Sequence, residues 1–259
     1  MARRRLAQVL LALVSAVTIG VTMGVAEERS QAWNRCEAEN SAPPGPQTSV
    51  HTSVIPSRYE TRGRLLFAFN DQSNAYRPKA DNDRAIQEYG LAILLDPQNA
   101  PAFYNRGIAY AEKGDLTRAI EDFSRAIQLA STHADYWNSR CWARALAGQL
   151  DAALADCSES LRLRPNDANT LDSRGLVHLK SGRFSDALRD YDAAVRLNAR
   201  DGSHLYGRGI AKQKSGDVAG AAADIAAAKT LDQGIEGKFK SYGVTPGASP
   251  TATTPGTGR

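Results

Sequence analysis

From Leu66 onward the chain repeats itself every 34 residues, and this period limits the possible folds more than any other feature. Five rows, beginning at Leu66, Ala100, Ala134, Ala168 and Gly202, align without a gap. One column reads Phe69, Phe103, Trp137, Leu171, Leu205. Others read Ala85, Ala119, Ala153, Ala187, Ala221; then Tyr89, Phe123, Cys157, Tyr191, Ile225; then Ala92, Ala126, Ser160, Ala194, Ala228. Leu95, Leu129, Leu163, Leu197 and Leu231 close the rows. A unit of this length cannot bury an apolar face alone, so successive units must stack and share a core.

Within a row the spacing is helical. Phe103, Gly107 and Tyr110 fall on one face, and Ala119, Phe123 and Ala126 on another, at steps of three and four residues. Gly114, Gly148, Gly182 and Gly216 separate the two stripes, where glycine supplies a left-handed helix terminus. Gly107, Gly175 and Gly209 let the paired helices approach closely, with a small alanine expected opposite each. Each row therefore reads as helix, tight turn, helix.

The period, the order aromatic–Gly–Tyr–Gly–Ala–aromatic–Ala–Pro, and Pro97 and Pro165 between helices resemble the tetratricopeptide repeat. The match runs over residues 66–235. It implies an all-α, right-handed α-solenoid of about five helix-turn-helix repeats: a degenerate repeat at 66–99, then 100–133, 134–167, 168–201 and 202–235. The first departs most, with Pro78 near the end of its first helix and Ala80 in place of the turn glycine. Ile235, Phe239 and Tyr242 recur at helical spacing, so 236–244 is expected to be a C-terminal capping helix over the last repeat.

The flanks are of another kind. Arg3, Arg4 and Arg5 precede an apolar run from Leu6 to Ala26 that ends in Gly24-Val25-Ala26 before Glu27-Glu28. This is the pattern of a cleaved signal peptide over 1–26, or alternatively of a retained inner-membrane anchor. Either places the body in a periplasm or outside the cell. Residues 27–65 form an extension stiffened by Pro43, Pro44 and Pro46, and 245–259 is a Thr-, Pro- and Gly-rich tail expected to be disordered. Trp33 and Cys36 ahead of the array extend the resemblance to exported tetratricopeptide proteins of alphaproteobacteria. A second cysteine near His51, typical of those proteins, is absent here.

Charge argues against nucleic acid. The formal net charge is +4, but residues 66–232 hold 21 Lys and Arg against 22 Asp and Glu, a net of −1. A basic stripe, which dominates affinity for polyanions, is missing. No phosphate loop, nucleophile elbow or His-Glu metal helix occurs, so neither a catalytic group nor a cofactor is expected. His51, His133, His178 and His204 fall in different columns, and His178 reads as a packing residue.

Two constellations remain. Cys141 replaces a packing glycine and Cys157 the aromatic of the same row, seven residues before and nine after Gly148. Burial of two free thiols is the favoured reading because disulfide geometry is demanding, and a bridge is the alternative in an oxidising compartment. Arg106, Arg140, Arg174 and Arg208 share one column and Asp122, Asp156, Asp190 and Asp224 another, eight residues either side of the turn glycine. Antiparallel helices set these opposite one another as structural ion pairs.

In the tetratricopeptide fold the first helices line the concave surface. Pattern matching puts Tyr104, Asn105, Ile108, Asn138, Trp142, Asp172, Leu176, Tyr206 and Ile210 there. The Lys and Asn columns that clamp an acidic C-terminal tail in some relatives are not kept. The Ile–Trp–Leu–Ile row suggests an apolar face for a peptide or helix of a partner protein. Equally, it could be covered by neighbouring helices or by the chain's N-terminal segment. The functional expectation is a non-enzymatic scaffold or adaptor. The alternative is a periplasmic chaperone or carrier that shelters an apolar ligand or lipid.

Overall fold

The computed structural model describes residues 81–247. The signal or anchor (1–26), the extension (27–65), the first helix of the opening repeat with Pro78, and the end of the tail lie outside these residues. The described part is all helical, with ten helices and no strand.

Two compact units divide the chain after Ala102. In the first, α1 (Asn82–Leu95) is capped by Asp81, whose carboxylate accepts from the Arg84 N–H. Ala92 of this helix packs with Ala102, at the start of α2 (Ala100–Glu112). Asn99 Oδ1 accepts from the Ala102 N–H at 2.8 Å, filling a free donor of the new helix.

The second unit is a run of hairpins. The rest of α2 pairs with α3 (Leu116–Leu129), α4 (Ala134–Leu146) with α5 (Leu150–Leu163), α6 (Ala168–Lys180) with α7 (Phe184–Leu197), and α8 (Gly202–Lys214) with α9 (Val218–Leu231). A seven-residue helix, α10 (Ile235–Ser241), follows. Each hairpin turns on a glycine of positive φ: Gly114 at 81°, Gly148 at 78°, Gly182 at 71° and Gly216 at 93°. The next residue donates back over the turn, as from Asp115 N–H to Tyr110 O at 2.9 Å, closing the Schellman pattern. Asp115 and Asp217 then cap the following helices through their carboxylates. One dipeptide thus ends one helix and starts the next.

Inside the hairpins, glycine faces a large side chain rather than the expected alanine. A Cβ at Gly107 would sit 2.7 Å from the Phe123 ring, and one at Gly175 would sit 2.8 Å from the Tyr191 ring. The Ala119 carbonyl is the next neighbour of Gly107, at 3.3 Å. In the hairpin α4–α5 the same two columns hold Cys141 and Cys157, and the structure joins them in a disulfide with a Cα–Cα distance of 5.3 Å. The favoured reading of two free thiols gives way to the bridge. The close approach that elsewhere requires Gly against an aromatic brings the two sulfurs into bonding range here.

The ion-pair ladder is complete. Arg106, Arg140, Arg174 and Arg208 each donate two hydrogen bonds, from Nε and Nη2, to Asp122, Asp156, Asp190 and Asp224 at 2.6–2.8 Å. The aspartates are buried. Two arginines also reach the preceding hairpin, Arg140 to Ser124 Oγ at 3.0 Å and Arg208 to Asp192 at 3.3 Å. Planar guanidinium forks therefore tie helix to helix and repeat to repeat.

Candidate functional site: the concave face and its C-terminal strap

First helices of neighbouring hairpins pack directly on one another, α4 on α6 and α6 on α8. Second helices meet chiefly the first helices on either side of them. The first-helix layer is therefore the inner, concave side of this unit. Its two ends differ.

At the C-terminal end the face is filled. Leu176, Tyr206 and Ile210, expected to line an open groove, are 3%, 0% and 0% exposed and belong to the main core. This corrects their assignment as groove residues. Among the described residues the cover is the C-terminal segment. Ile235, Phe239 and Val244 pack into that core, and the Phe239 ring lies 4.9 Å from Tyr206. Gly243 ends α10 at φ 76°, and the Val244 N–H donates back to Phe239 O. Two side chains fasten this segment. Lys180 Nζ donates to Tyr242 O at 2.7 Å, and Gln213 Nε2 to Gly247 O at 2.8 Å. The continuous apolar row on which shelter of a lipid would rely is thus spent on the chain's own core.

The strap reaches as far as Trp142. The Tyr242 ring meets the Trp142 indole edge-on, with centroids 6.0 Å apart. Beyond this contact the face is open. A cavity of about 370 Å³ is lined by Ile108, Ala111, Glu112, Phe123, Asn138, Ser139, Trp142, Asn169, Asp172 and Ser173. Of the expected residues it collects Ile108, Asn138, Trp142 and Asp172. Tyr104 and Asn105 do not line it. Tyr104 is half-buried between Phe123 and Tyr136, and its hydroxyl accepts from Ser139 Oγ.

Polar groups in the cavity are unevenly satisfied. Ser139 and Ser173 donate within the protein, to Tyr104 and to the Asn169 carbonyl. Asn138 Oδ1 and Asp172 Oδ1 are buried without a donor. Burial, with Asp201 nearby, pushes the Asp172 carboxyl up to about 7; the Lys238 charge opposes this more weakly. Among the described residues no three His, Cys, Asp or Glu side chains gather to hold a metal. None of the described helices is long and apolar enough to cross a membrane.

Sequence pattern matching missed Ser139 and Ser173, which continue the Asn105 column by one and two periods. It also missed Ala111, Glu112, Phe123 and Asn169. Stepping one turn along each first helix from Ile108 or Asp172 reaches all of these but Phe123, which enters from α3.

Stacked hairpins with a concave first-helix layer define a helical repeat protein that presents a surface. The chain is a tetratricopeptide-repeat protein. Family models for the tetratricopeptide repeat match residues 100–133 and 173–234, and a TPR-repeat model matches 74–114. Among solved structures, a tetratricopeptide repeat protein from Parabacteroides merdae is 15% identical, with a TM-score of 0.66 over 82% of this chain and 88% of its own. MamA from Desulfovibrio magneticus is 18% identical, TM-score 0.57, over 65% and 95%. YrrB, described as a TPR protein with an unusual peptide-binding site, is 19% identical, TM-score 0.54, over 71% and 92%. These likenesses are of fold. No curated protein matches the chain by sequence. Proteins built of these repeats generally mediate protein–protein interaction.

Proposed function

We propose that this protein is a non-enzymatic scaffold that holds a peptide segment of a partner protein in the concave cavity between α2, α4 and α6. The carrying observation is that the strap closes the C-terminal half of the concave face and stops at Trp142. Beside that indole it leaves an open cavity with an apolar floor (Ile108, Phe123, Trp142) and polar walls. A few aromatic and aliphatic anchors beside oriented polar groups are the usual composition of a peptide site. The rigid array presents them without an ordering cost. The peptide-binding site of the similarly folded YrrB is in keeping with this reading.

Two features support action outside the cytoplasm. Arg3 to Ala26 has the pattern of an export signal, and the Cys141–Cys157 bridge suits an oxidising compartment.

The test is a photo-crosslinking residue at Ser139, in the cavity wall, with Ser158 on the exposed side of α5 as the control position. A discrete polypeptide adduct from Ser139 and none from Ser158 is expected in the native host. Adducts only at Ser158 would move the binding site to the convex face.

A further inference from the structure

Two acceptor side chains that line the cavity, Asn138 and Asp172, decide what kind of side chain it takes. Asn138 and Asp172 hold the same column in successive repeats, so α4 and α6 present them side by side on the concave face. Each has a wholly buried side-chain oxygen that no protein donor reaches. A buried acceptor without a donor is left with its hydration lost and nothing in exchange, and a carboxylate suffers most, so folding leaves this corner of the cavity short of donors. The hydroxyls of Ser139 and Ser173 cannot make up the deficit, because both already donate elsewhere.

Next to the acceptors lie the Trp142 indole and Ile108, a surface suited to the methylene stem of a long side chain. An indole face also attracts a cation. Lysine and arginine combine an apolar stem with several donors and a positive charge.

We infer that the cavity receives a lysine or arginine side chain of the bound segment, its stem against Trp142 and Ile108 and its charged head donating to Asp172 and Asn138. This rests on the concave cavity being the peptide site. The partner is therefore a protein whose recognition segment carries a basic residue among apolar ones, the reverse of an acidic tail.

Ionisation of Asp172 governs the interaction. The groups around this carboxyl are Asp201 at the start of α8, Lys238 of α10, Tyr191 of α7, Tyr242 of the strap, and Glu112 across the cavity. Lys238 is engaged with Asp232 at 3.3 Å and forms no ion pair with Asp172. With a carboxyl that titrates near pH 7, affinity for a cationic side chain should rise by about an order of magnitude between pH 6 and pH 8.

The probe is a library of randomised nonapeptides with the central position fixed as Lys, Arg, norleucine or Glu. The library is captured by the full-length protein carrying a photo-crosslinker at Ser139. Recovery of the Lys and Arg sets at least tenfold above the Glu set and above neutral norleucine, growing from pH 6 to pH 8, is expected. Asp172→Asn keeps the shape and relieves a buried charge, so it folds; it should reduce the preference to within twofold and remove its pH dependence. Asp201→Asn should retain the preference. Capture without preference, or with preference for Glu, overturns the basic-residue inference while leaving the cavity as a peptide site. No capture of any set overturns both.

Discussion

Trp142 and Tyr242 stand one hundred positions apart and meet edge-to-face, rings at 86° and centroids at 6.0 Å. The contact marks the limit of the strap. On one side the concave surface belongs to the core of the chain, and on the other lies the cavity beside Trp142. The length of the C-terminal segment thereby sets the size of the proposed binding site. The strap is held by few anchors. A seven-residue helix cannot persist alone in water, so α10 depends on Ile235, Phe239 and Val244.

Phe239→Ala should release that segment. Loss of a buried Phe side chain costs about 3–5 kcal/mol, a large share of what three apolar anchors at about 1.5–3 kcal/mol each contribute. The expected result is local. Amides of residues 238–244 should lose protection from hydrogen exchange, and dye binding should report exposure of Leu176, Tyr206 and Ile210. Protection at 238–244 equal to that of the parent would show that the strap is held by something other than this ring.

The ladder makes a graded prediction. Arg174→Ala strips Asp190 of its fork, leaving only His178 Nε2 at 3.6 Å. Burial lowers the pKa of that imidazole, which makes it a poor substitute for the guanidinium. Breaking a buried pair in this way costs about 3–5 kcal/mol. Arg140→Ala should cost clearly less, because Asp156 retains Arg144 at 2.7 Å. Urea denaturation of the two variants separates them. Equal losses would mean that the second arginine does not compensate.

The period, the turn glycines and the Arg–Asp columns were legible in the sequence because each is fixed by contacts within one 34-residue unit. Gly107 sits against Phe123, and Arg106 faces Asp122, whatever the rest of the chain does. The fate of Leu176, Tyr206 and Ile210 was not legible in the same way. It depends on where a segment after the last repeat turns, and only the fold shows Lys180 and Gln213 drawing Tyr242 and Gly247 over the first helices. Trp142 and Asp172 were found by pattern. The cavity they share exists because the strap stops where it does.

Asp172 should also give stability a pH dependence opposite to that of the ion pairs. Its folded pKa, near 7, lies above the ordinary value of 3.8. The native state therefore binds the proton more tightly than the unfolded chain between these values. Stability is full below the ordinary value and is lost progressively as the pH rises through 7. The melting temperature should fall between pH 5 and pH 8, and Asp172→Asn should flatten that slope. Asp224, held low by Arg208 and Lys212 despite its burial, contributes the other way and only in acid. An unchanged slope in the Asn variant would place the carboxyl in a more solvated setting than its buried oxygen indicates.

The bridge between Cys141 and Cys157 closes a loop of 16 residues across α4 and α5. By chain entropy a loop of this size is worth about 3 kcal/mol. Both cysteines are fully buried, so reductant must await opening of the hairpin, and reduction should be slow at low temperature. The other hairpins suggest a substitute. Cys141→Gly with Cys157→Phe recreates the Gly107–Phe123 pair, exchanging a covalent link for ring packing. The parent should be two mass units lighter before reduction than after it, and should lose stability once reduced. The Gly/Phe variant should melt at one temperature with or without reductant. If reduced parent, with both thiols open to alkylation after unfolding, melts as the oxidised parent does, the bridge adds nothing beyond the packing of its two sulfurs.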